Sequence, residues 1–173
     1  MNYREWEAAS QGLFYADPIW QVEAYRLALF LADICWHDTS RLHRDRRTLG
    51  VAEQLYAAVG SIGANIAEGY GREPGKDRAR FYSYALGSAR ESQAWYFSAR
   101  HVLGEEVQRH RHDVLTSIIR LLTVMATQQR GRRLQDEGEL YSPDPQSHAR
   151  GDQRPPGMAL DREVPFFNTE REG

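Results

Sequence analysis

Apolar residues spaced alternately three and four positions apart constrain this chain more than any other feature. Between residues 48 and 70 that spacing places one apolar stripe along a helix, at Ala52, Leu55, Val59, Ile62 and Ile66. Segments at about 17–38, 76–103 and 105–133 carry comparable stripes and are joined by short connections. Four helices of this kind predict an all-α, antiparallel up-down-up-down four-helix bundle over residues 17–133.

Local signals set the expected ends of these helices. Asp17-Pro18 combines a capping carboxylate with a proline preset for the first helical position, so the first helix should begin there. Gly69 and Gly71 should end the second helix, and Pro74 prevents its continuation. The third helix should direct a mostly small-residue stripe to the core, at Phe81, Ala85, Ser88, Ser92, Trp95, Ala99 and Val102.

The regions that flank the bundle have a different composition. Residues 1–16 suggest a loosely held leader, and residues 134–173 hold five of the seven prolines and few aliphatic residues. Such a segment buries too little surface to offset its chain entropy, so it is predicted to be a disordered acidic tail. The tail contains an apolar island at residues 164–167, for which a solvated tail end is favoured over docking on the bundle or a partner.

Composition excludes several classes of protein. The chain is 41% hydrophobic, and no segment approaches the roughly 18 uninterrupted apolar residues of a membrane span. The first residues lack the basic start and apolar core of a secretory signal. Cys35, the single cysteine, is expected to be a small core residue, and its isolation precludes an intrachain disulfide. These features predict a cytoplasmic protein without membrane association.

Charge is distributed unevenly along the chain. Residues 134–173 hold four arginines against nine Asp and Glu, a net charge of −5, which leaves +3 for residues 1–133. Thirteen basic residues crowd the predicted helix ends: Arg41, Arg44, Arg46, Arg47, Arg72, Lys76, Arg78, Arg80, Arg109, Arg111, Arg130, Arg132 and Arg133. Repeated around an oligomer, they would form positive rings able to hold phosphates, so they are candidate nucleic-acid-binding residues. Ordinary solvated helix ends are the alternative.

A set of polar residues accompanies the apolar stripe of the second helix. Spacings of four, three and four put four of them on one helix face, and two residues of the third helix occupy a comparable stripe: Ser61, Asn65, Glu68, Arg72, Ser88 and Glu91. We expect a hydrogen-bonded network that fixes the pairing of these helices or of neighbouring subunits. A polar binding pocket or a proton-transfer site is the less favoured interpretation.

Familiar catalytic and metal-binding patterns do not fit the spacing. A di-iron bundle needs Glu-x-x-His on two helices, whereas Glu106 and His110 are four apart. His110 and His112 cannot share one helix face, and residues 71–76 lack the glycine spacing and hydroxyl residue of a phosphate-binding loop. The sequence therefore predicts a non-enzymatic protein with no metal site and no cofactor.

Residues 61–72 also resemble a known signature, S-I-x-x-N-I-A-E-G-x-G-R. It is typical of the bacterial four helix bundle protein family, which includes proteins encoded by intervening sequences of large-subunit ribosomal RNA genes. The accessory variability protein of diversity-generating retroelements is a distant relative. The resemblance implies an antiparallel four-helix bundle that assembles as a homopentamer. The chain departs from it at Tyr56 and Ala57, where a basic pair is common, and at Gly63, where proline is common.

Taken together, these features predict a ring-forming bundle that presents basic ends to a partner. The first hypothesis is a nucleic-acid or ribonucleoprotein accessory that binds RNA, DNA or a nucleic-acid enzyme. The second is a protein-interaction scaffold without nucleic-acid binding, using Trp95, Tyr96, Phe97 and the acidic tail. An enzyme hidden in the Asn65, Glu68 and Glu91 network is the least favoured hypothesis.

Overall fold

A computed structural model of the chain describes residues 2–14, 16–136 and 164–165, with side chains as far as residue 131 in the last helix. The regular secondary structure of these residues is helical and includes no strand, which confirms the all-α prediction for the described part. The five helices are α1 (Tyr3–Phe14), α2 (Glu23–Leu42), α3 (Leu49–Tyr70), α4 (Lys76–Leu103) and α5 (Glu105–Asp136). Short 3-10 turns at Pro18–Gln21 and Arg46–Thr48 precede α2 and α3.

The four long helices share one apolar core. Each of them packs on the next along the chain, and α2 also contacts α4 and α5. The predicted stripe of α3 is confirmed, because its members are buried: Ala52, Leu55, Val59, Ile62 and Ile66. Residues that are fully enclosed between the helices include Leu27, Phe30, Leu31, Ile34, Leu115 and Ile118. Burying each such side chain contributes on the order of 2 kcal/mol to folding.

The predicted stripe of α4 is partly wrong. Tyr96 is buried, whereas Trp95 is only partly buried and its indole Nε1 donates a 3.2 Å hydrogen bond to Glu91 on the outer surface. The buried face comprises Ala79, Tyr82, Ala85, Ala89, Ser92, Tyr96, Ala99 and Leu103. Because α4 contacts α2, α3 and α5, the alanines let three neighbours approach while two tyrosines fill the remaining gaps.

The expectation of a loose leader over residues 1–16 is also wrong, because Tyr3–Phe14 forms helix α1. Asn2 and Glu5 cap its start reciprocally, since each side chain accepts a hydrogen bond from the other's backbone N–H. Tyr3 and Trp6 are buried against Phe30, with ring centroids 5.3 and 5.4 Å from it. Aromatic burial of this extent attaches α1 to α2.

Two boundary signals act differently from the prediction. Asp17 does cap a helix, but it caps the 3-10 turn at Pro18–Gln21, and α2 begins at Glu23. Gly69 lies inside α3 and does not end it. A Cβ at Gly69 would lie 2.9–3.0 Å from ring atoms of Tyr82 and 3.0 Å from the Cβ of Phe81, so the glycine is needed for close approach of α3 and α4.

The predicted acidic tail lies outside the described residues, except for two of them. Val164 is 5% exposed and belongs to the core cluster, and Pro165 is half-buried. The favoured interpretation of the apolar island as a solvated tail end is therefore wrong at Val164, which docks on the bundle. A buried valine contributes on the order of 1.5 kcal/mol, enough to offset the ordering of about one residue.

Candidate functional site

Three residues of the predicted polar network join α3 to α4. Asn65 Nδ2 donates to the backbone oxygen of Ser61 at 2.8 Å and to its Oγ at 3.0 Å. Ser88 Oγ of α4 donates to the same Ser61 Oγ at 3.0 Å. All three residues are half-buried in the single chain. This part of the prediction describes a real hydrogen-bonded link between the two helices.

The remaining members of the predicted network lie apart from that link. Glu68 and Arg72 form an exposed ion pair one helical turn apart on α3. Glu91 is exposed on α4 and accepts the indole hydrogen bond of Trp95. The expectation of one network of six residues is therefore too broad, because side chains that share a helix face still need a partner within reach.

A second polar network lies in the core, and the sequence did not reveal it. Arg111 of α5, predicted as a surface arginine, is fully buried and forms a two-pronged ion pair with Asp38 of α2. The guanidinium Nε lies 2.8 Å from Asp38 Oδ2, and Nη2 lies 3.0 Å from Oδ1. Tyr96 of α4 donates its hydroxyl to Asp38 Oδ2 at 2.9 Å. Arg111 is thus not available to a nucleic acid, and it binds α5 to α2 instead.

Burial governs the titration of the groups around this ion pair. Burial alone would lower the pKa of Arg111, but its hydrogen bonds and attraction to Asp38 outweigh that and raise the pKa. Burial raises the pKa of Tyr96 well above its usual value and that of Cys35 to about 12. Cys35 is therefore a buried protonated thiol, as predicted, and not a nucleophile.

His110 is buried beside this network. Its Nδ1 accepts a 3.0 Å hydrogen bond from Arg111 Nη1, so the neutral ring carries its proton on Nε2. Nε2 has no hydrogen-bond partner in the described part of the chain. Burial, with the charge of Arg111, lowers the pKa of His110 to about 4. The imidazole is therefore neutral near pH 7.

The arginines around the α2–α3 connection are exposed in large part. Arg44 and Arg46 are exposed, and neither forms an ion pair with the residues that the structure describes. Arg47 is also exposed, but it pairs with Asp45 at 2.6 Å, and Arg41 is half-buried. Arg109, early in α5, is exposed and likewise lacks an ion-pair partner among the described residues.

The arginines around the α3–α4 connection are mostly engaged by the protein itself. Arg78 donates to the backbone oxygens of Tyr70, at 3.1 Å, and Arg72, at 2.5 Å, which fastens the connection. Arg80 pairs with Asp77 at 2.7 Å. Arg130 of α5 donates to Ser83 Oγ at 2.8 Å.

Lys76 differs from those arginines, because it is exposed and forms no ion pair within the described ranges. The side chains of Arg132 and Arg133 lie outside the described residues.

An apolar groove of about 370 Å³ lies between α2 and α3. Trp36, 59% exposed, and Tyr56, 48% exposed, meet at its wall with ring centroids 6.1 Å apart. Thr39, Ala52 and Ala57 complete much of the lining. Two large aromatic side chains on one groove form an apolar surface that another macromolecule could cover.

Metal-binding clusters and membrane-spanning helices are both absent from the described residues. No group of three or more His, Cys, Asp or Glu side chains in residues 2–14, 16–136 and 164–165 could hold a metal ion. None of the helices in those ranges has enough continuous apolar length to cross a bilayer.

Comparison with known proteins adds one match. The sequence model of a family described as "23S rRNA-intervening sequence protein" matches residues 21–124, which is more than half of the chain. The matched range contains both polar networks, the α2–α3 connection and the α3–α4 connection. No curated protein and no solved structure matches the chain.

Proposed function

Because the chain belongs to the 23S rRNA-intervening sequence protein family, we propose that it is a non-enzymatic nucleic-acid or ribonucleoprotein accessory that works as an oligomeric four-helix bundle in the cytoplasm. The observation that carries this proposal is a group of three exposed arginines without ion-pair partners among the described residues: Arg44, Arg46 and Arg109. Because these side chains have no ion-pair partner within the described ranges, they suit contacts with phosphates, which supply most of the affinity for nucleic acids.

The proposal includes an antiparallel up-down-up-down arrangement of α2 to α5. It is supported by contacts that run in opposite directions along neighbouring helices. Between α3 and α4, Gly69 faces Tyr82 while Ser61 bonds Ser88. Between α4 and α5, Arg130 bonds Ser83. Tyr96, farther along α4, and Arg111, near the start of α5, both bond Oδ2 of Asp38.

In this arrangement the two ends of the bundle differ. The α2–α3 and α4–α5 connections lie at one end. We call it the unpaired end, because Arg44, Arg46 and Arg109 lie there without ion-pair partners among the described residues. The paired end comprises the α3–α4 connection with the engaged side chains of Arg72, Arg78, Arg80 and Arg130. The unpaired end is therefore the favoured position for a phosphate backbone.

Self-assembly is the second part of the proposal, and we infer a homopentamer from the family resemblance. Half-buried Ser61, Asn65 and Ser88 suit a contact between copies, because polar groups at an interface fix the register of helices. The groove at Trp36 and Tyr56 offers apolar area for such a contact.

Binding and salt dependence test the nucleic-acid proposal. The full chain should bind RNA at low salt, and the logarithm of its association constant should fall linearly with the logarithm of salt concentration. The probes are a single strand, a hairpin and a duplex of equal length, measured by fluorescence anisotropy. Absence of binding to all three at low salt would refute the proposal.

A protein-interaction scaffold is the second candidate function. The specific observation in its favour is the apolar groove with exposed Trp36 and Tyr56. The prediction that Tyr96 contacts a partner is wrong, because Tyr96 is buried, whereas Phe97 is exposed. Recovery of one protein and no nucleic acid with the native assembly, abolished by Trp36→Ala, would favour this candidate.

A further inference from the structure

A cleft of about 540 Å³ lies beside the α4–α5 connection. Its walls are the last turns of α4 and the first turns of α5, with Phe97, Arg100, Gln108, Arg109 and His112 among the lining residues. The volume falls in the range of roughly 300–1,000 Å³ that small-molecule sites occupy. The cleft is thus large enough for one nucleotide.

Phe97 supplies an aromatic surface at this cleft. The ring is 54% exposed, and the guanidinium carbon of Arg100 lies 4.0 Å from its centroid. Arg100 Nη1 also donates a 2.7 Å hydrogen bond to the backbone oxygen of Phe97, which holds the guanidinium near the ring. Because the guanidinium lies over one face of the ring, an unstacked nucleobase would stack on the rest of the exposed ring or on the outer plane of the guanidinium.

Several polar side chains near the Phe97 ring form no hydrogen bond with one another. Gln108 and Arg109 make no side-chain hydrogen bond or ion pair within the described part of the chain. Glu105 and Asp113 add carboxylate acceptors, which match the amino groups on base edges. The Nδ1 atom of His112 is shielded from solvent and lacks a partner among the described residues.

We propose that this cleft binds one unpaired nucleobase against Phe97 and a neighbouring phosphate on Arg109. The proposal rests on the nucleic-acid binding proposed above and specifies its substrate as single-stranded RNA or a free nucleotide. Bases in a duplex are stacked inside it, so only a splayed base can reach the ring. Residues of both charge signs line the cleft, which suits a base and a phosphate together better than a uniformly acidic or basic peptide.

The experiment measures affinity of the full chain for a ten-nucleotide single strand and for a duplex of the same length at low salt. The single strand should bind at least tenfold more tightly. Phe97→Ala and Arg109→Glu should each weaken single-strand binding about tenfold, because one stacked base and one phosphate contact are lost. Two matched exposed variants outside the cleft, Tyr84→Ala and Arg120→Glu, should stay within twofold.

Two further outcomes distinguish failure of the cleft proposal from failure of the proposed RNA binding. Duplex binding as tight as single-strand binding, unchanged by Phe97→Ala, would overturn the cleft while RNA binding itself stands. If no RNA binds, adenosine monophosphate is titrated and the ring resonances of Phe97 and His112 are followed by NMR. Saturable shifts that Arg109→Glu abolishes would support the cleft as a free-nucleotide site. Absence of shifts would overturn it. Circular dichroism should show equal helix content in all four variants.

Discussion

In the proposed antiparallel arrangement, the two ends of the bundle carry similar numbers of arginines but use them differently. At the paired end, Arg78 fastens a connection and Arg80 pairs with Asp77. At the unpaired end, Arg47 pairs with Asp45, whereas Arg44, Arg46 and Arg109 lack ion-pair partners among the described residues. A cluster of basic residues in a sequence therefore does not indicate a binding surface until the internal partners of each side chain are known.

The cores beneath the two ends differ as well. Below the unpaired end, Asp38, Tyr96 and Arg111 form a buried charged network across three helices. Below the paired end, helices approach closely because Gly69 has no side chain next to Tyr82. The first core depends on charge compensation and the second on shape, so they should respond to different perturbations.

The largest effect is expected when the buried ion pair is broken. Arg111→Met should lower the free energy of unfolding by about 3–5 kcal/mol, because Asp38 is left buried without its partner. Arg109→Met is the matched control, since it removes an exposed arginine two positions away and should change stability by less than about 0.5 kcal/mol. Denaturant unfolding measures both values, and equal midpoints would contradict a structural role for Arg111.

A smaller loss of folding stability is expected at the paired end when a methyl group is added at Gly69. Gly69→Ala should cost about 1–3 kcal/mol, because the new methyl group would overlap the ring of Tyr82. Gly87→Ala in α4 is the control, since a Cβ there meets nothing within 4 Å, and it should stabilise the helix by roughly 0.5–1 kcal/mol. If both alanines stabilise the protein, the close approach of α3 and α4 is not required.

Acidic pH should lower the folding stability, because His110 in the core near the unpaired end becomes protonated. Its folded pKa of about 4 lies below the usual 6.5 of an unfolded histidine, so the unfolded state binds more protons between these values. Stability is then unaffected above about pH 6.5, falls as pH drops towards 4, and levels off below that.

The expected loss is on the order of 3 kcal/mol. It is measured as the difference between the pH profiles of the wild type and His110→Phe. Parallel profiles would show that His110 does not couple folding to protonation.

The smallest expected effect is a change in the free energy of RNA binding, which should differ between variants at the two ends. Arg44→Glu combined with Arg46→Glu should weaken single-stranded RNA binding about tenfold and reduce its salt dependence, because two phosphate contacts are lost. Arg80→Glu at the paired end should change affinity no more than about twofold, since that arginine is already paired with Asp77. A larger loss from Arg80→Glu would reverse the assignment of the ends.

Part of this molecule could be predicted from the sequence because the signals are local. The apolar stripe of α3 and the spacing of Ser61 and Asn65 depend only on helix geometry. Helix α1 had a local signal that was missed, namely the reciprocal Asn2–Glu5 cap followed by Trp6.

No local signal in the sequence indicates that Arg109 is exposed while Arg111 is buried. They are about 200° apart around one helix, so one faces solvent when the other faces the core. The partner that selects Arg111 is Asp38, which is 73 positions away along the chain. Contacts between residues so far apart in sequence depend on how the helices pack together. The hydrogen bond from Arg78 to the backbone oxygen of Tyr70 likewise depends on the path of the α3–α4 connection.

Photo-crosslinking of bound RNA tests the central claim that nucleic acid binds at the unpaired end. A single strand is irradiated in complex with the wild-type chain, and crosslinked peptides are identified by mass spectrometry. The account predicts crosslinks within peptides that contain Arg44, Phe97 or Arg109. Crosslinks confined to peptides from residues 70–84, at the paired end, would contradict it.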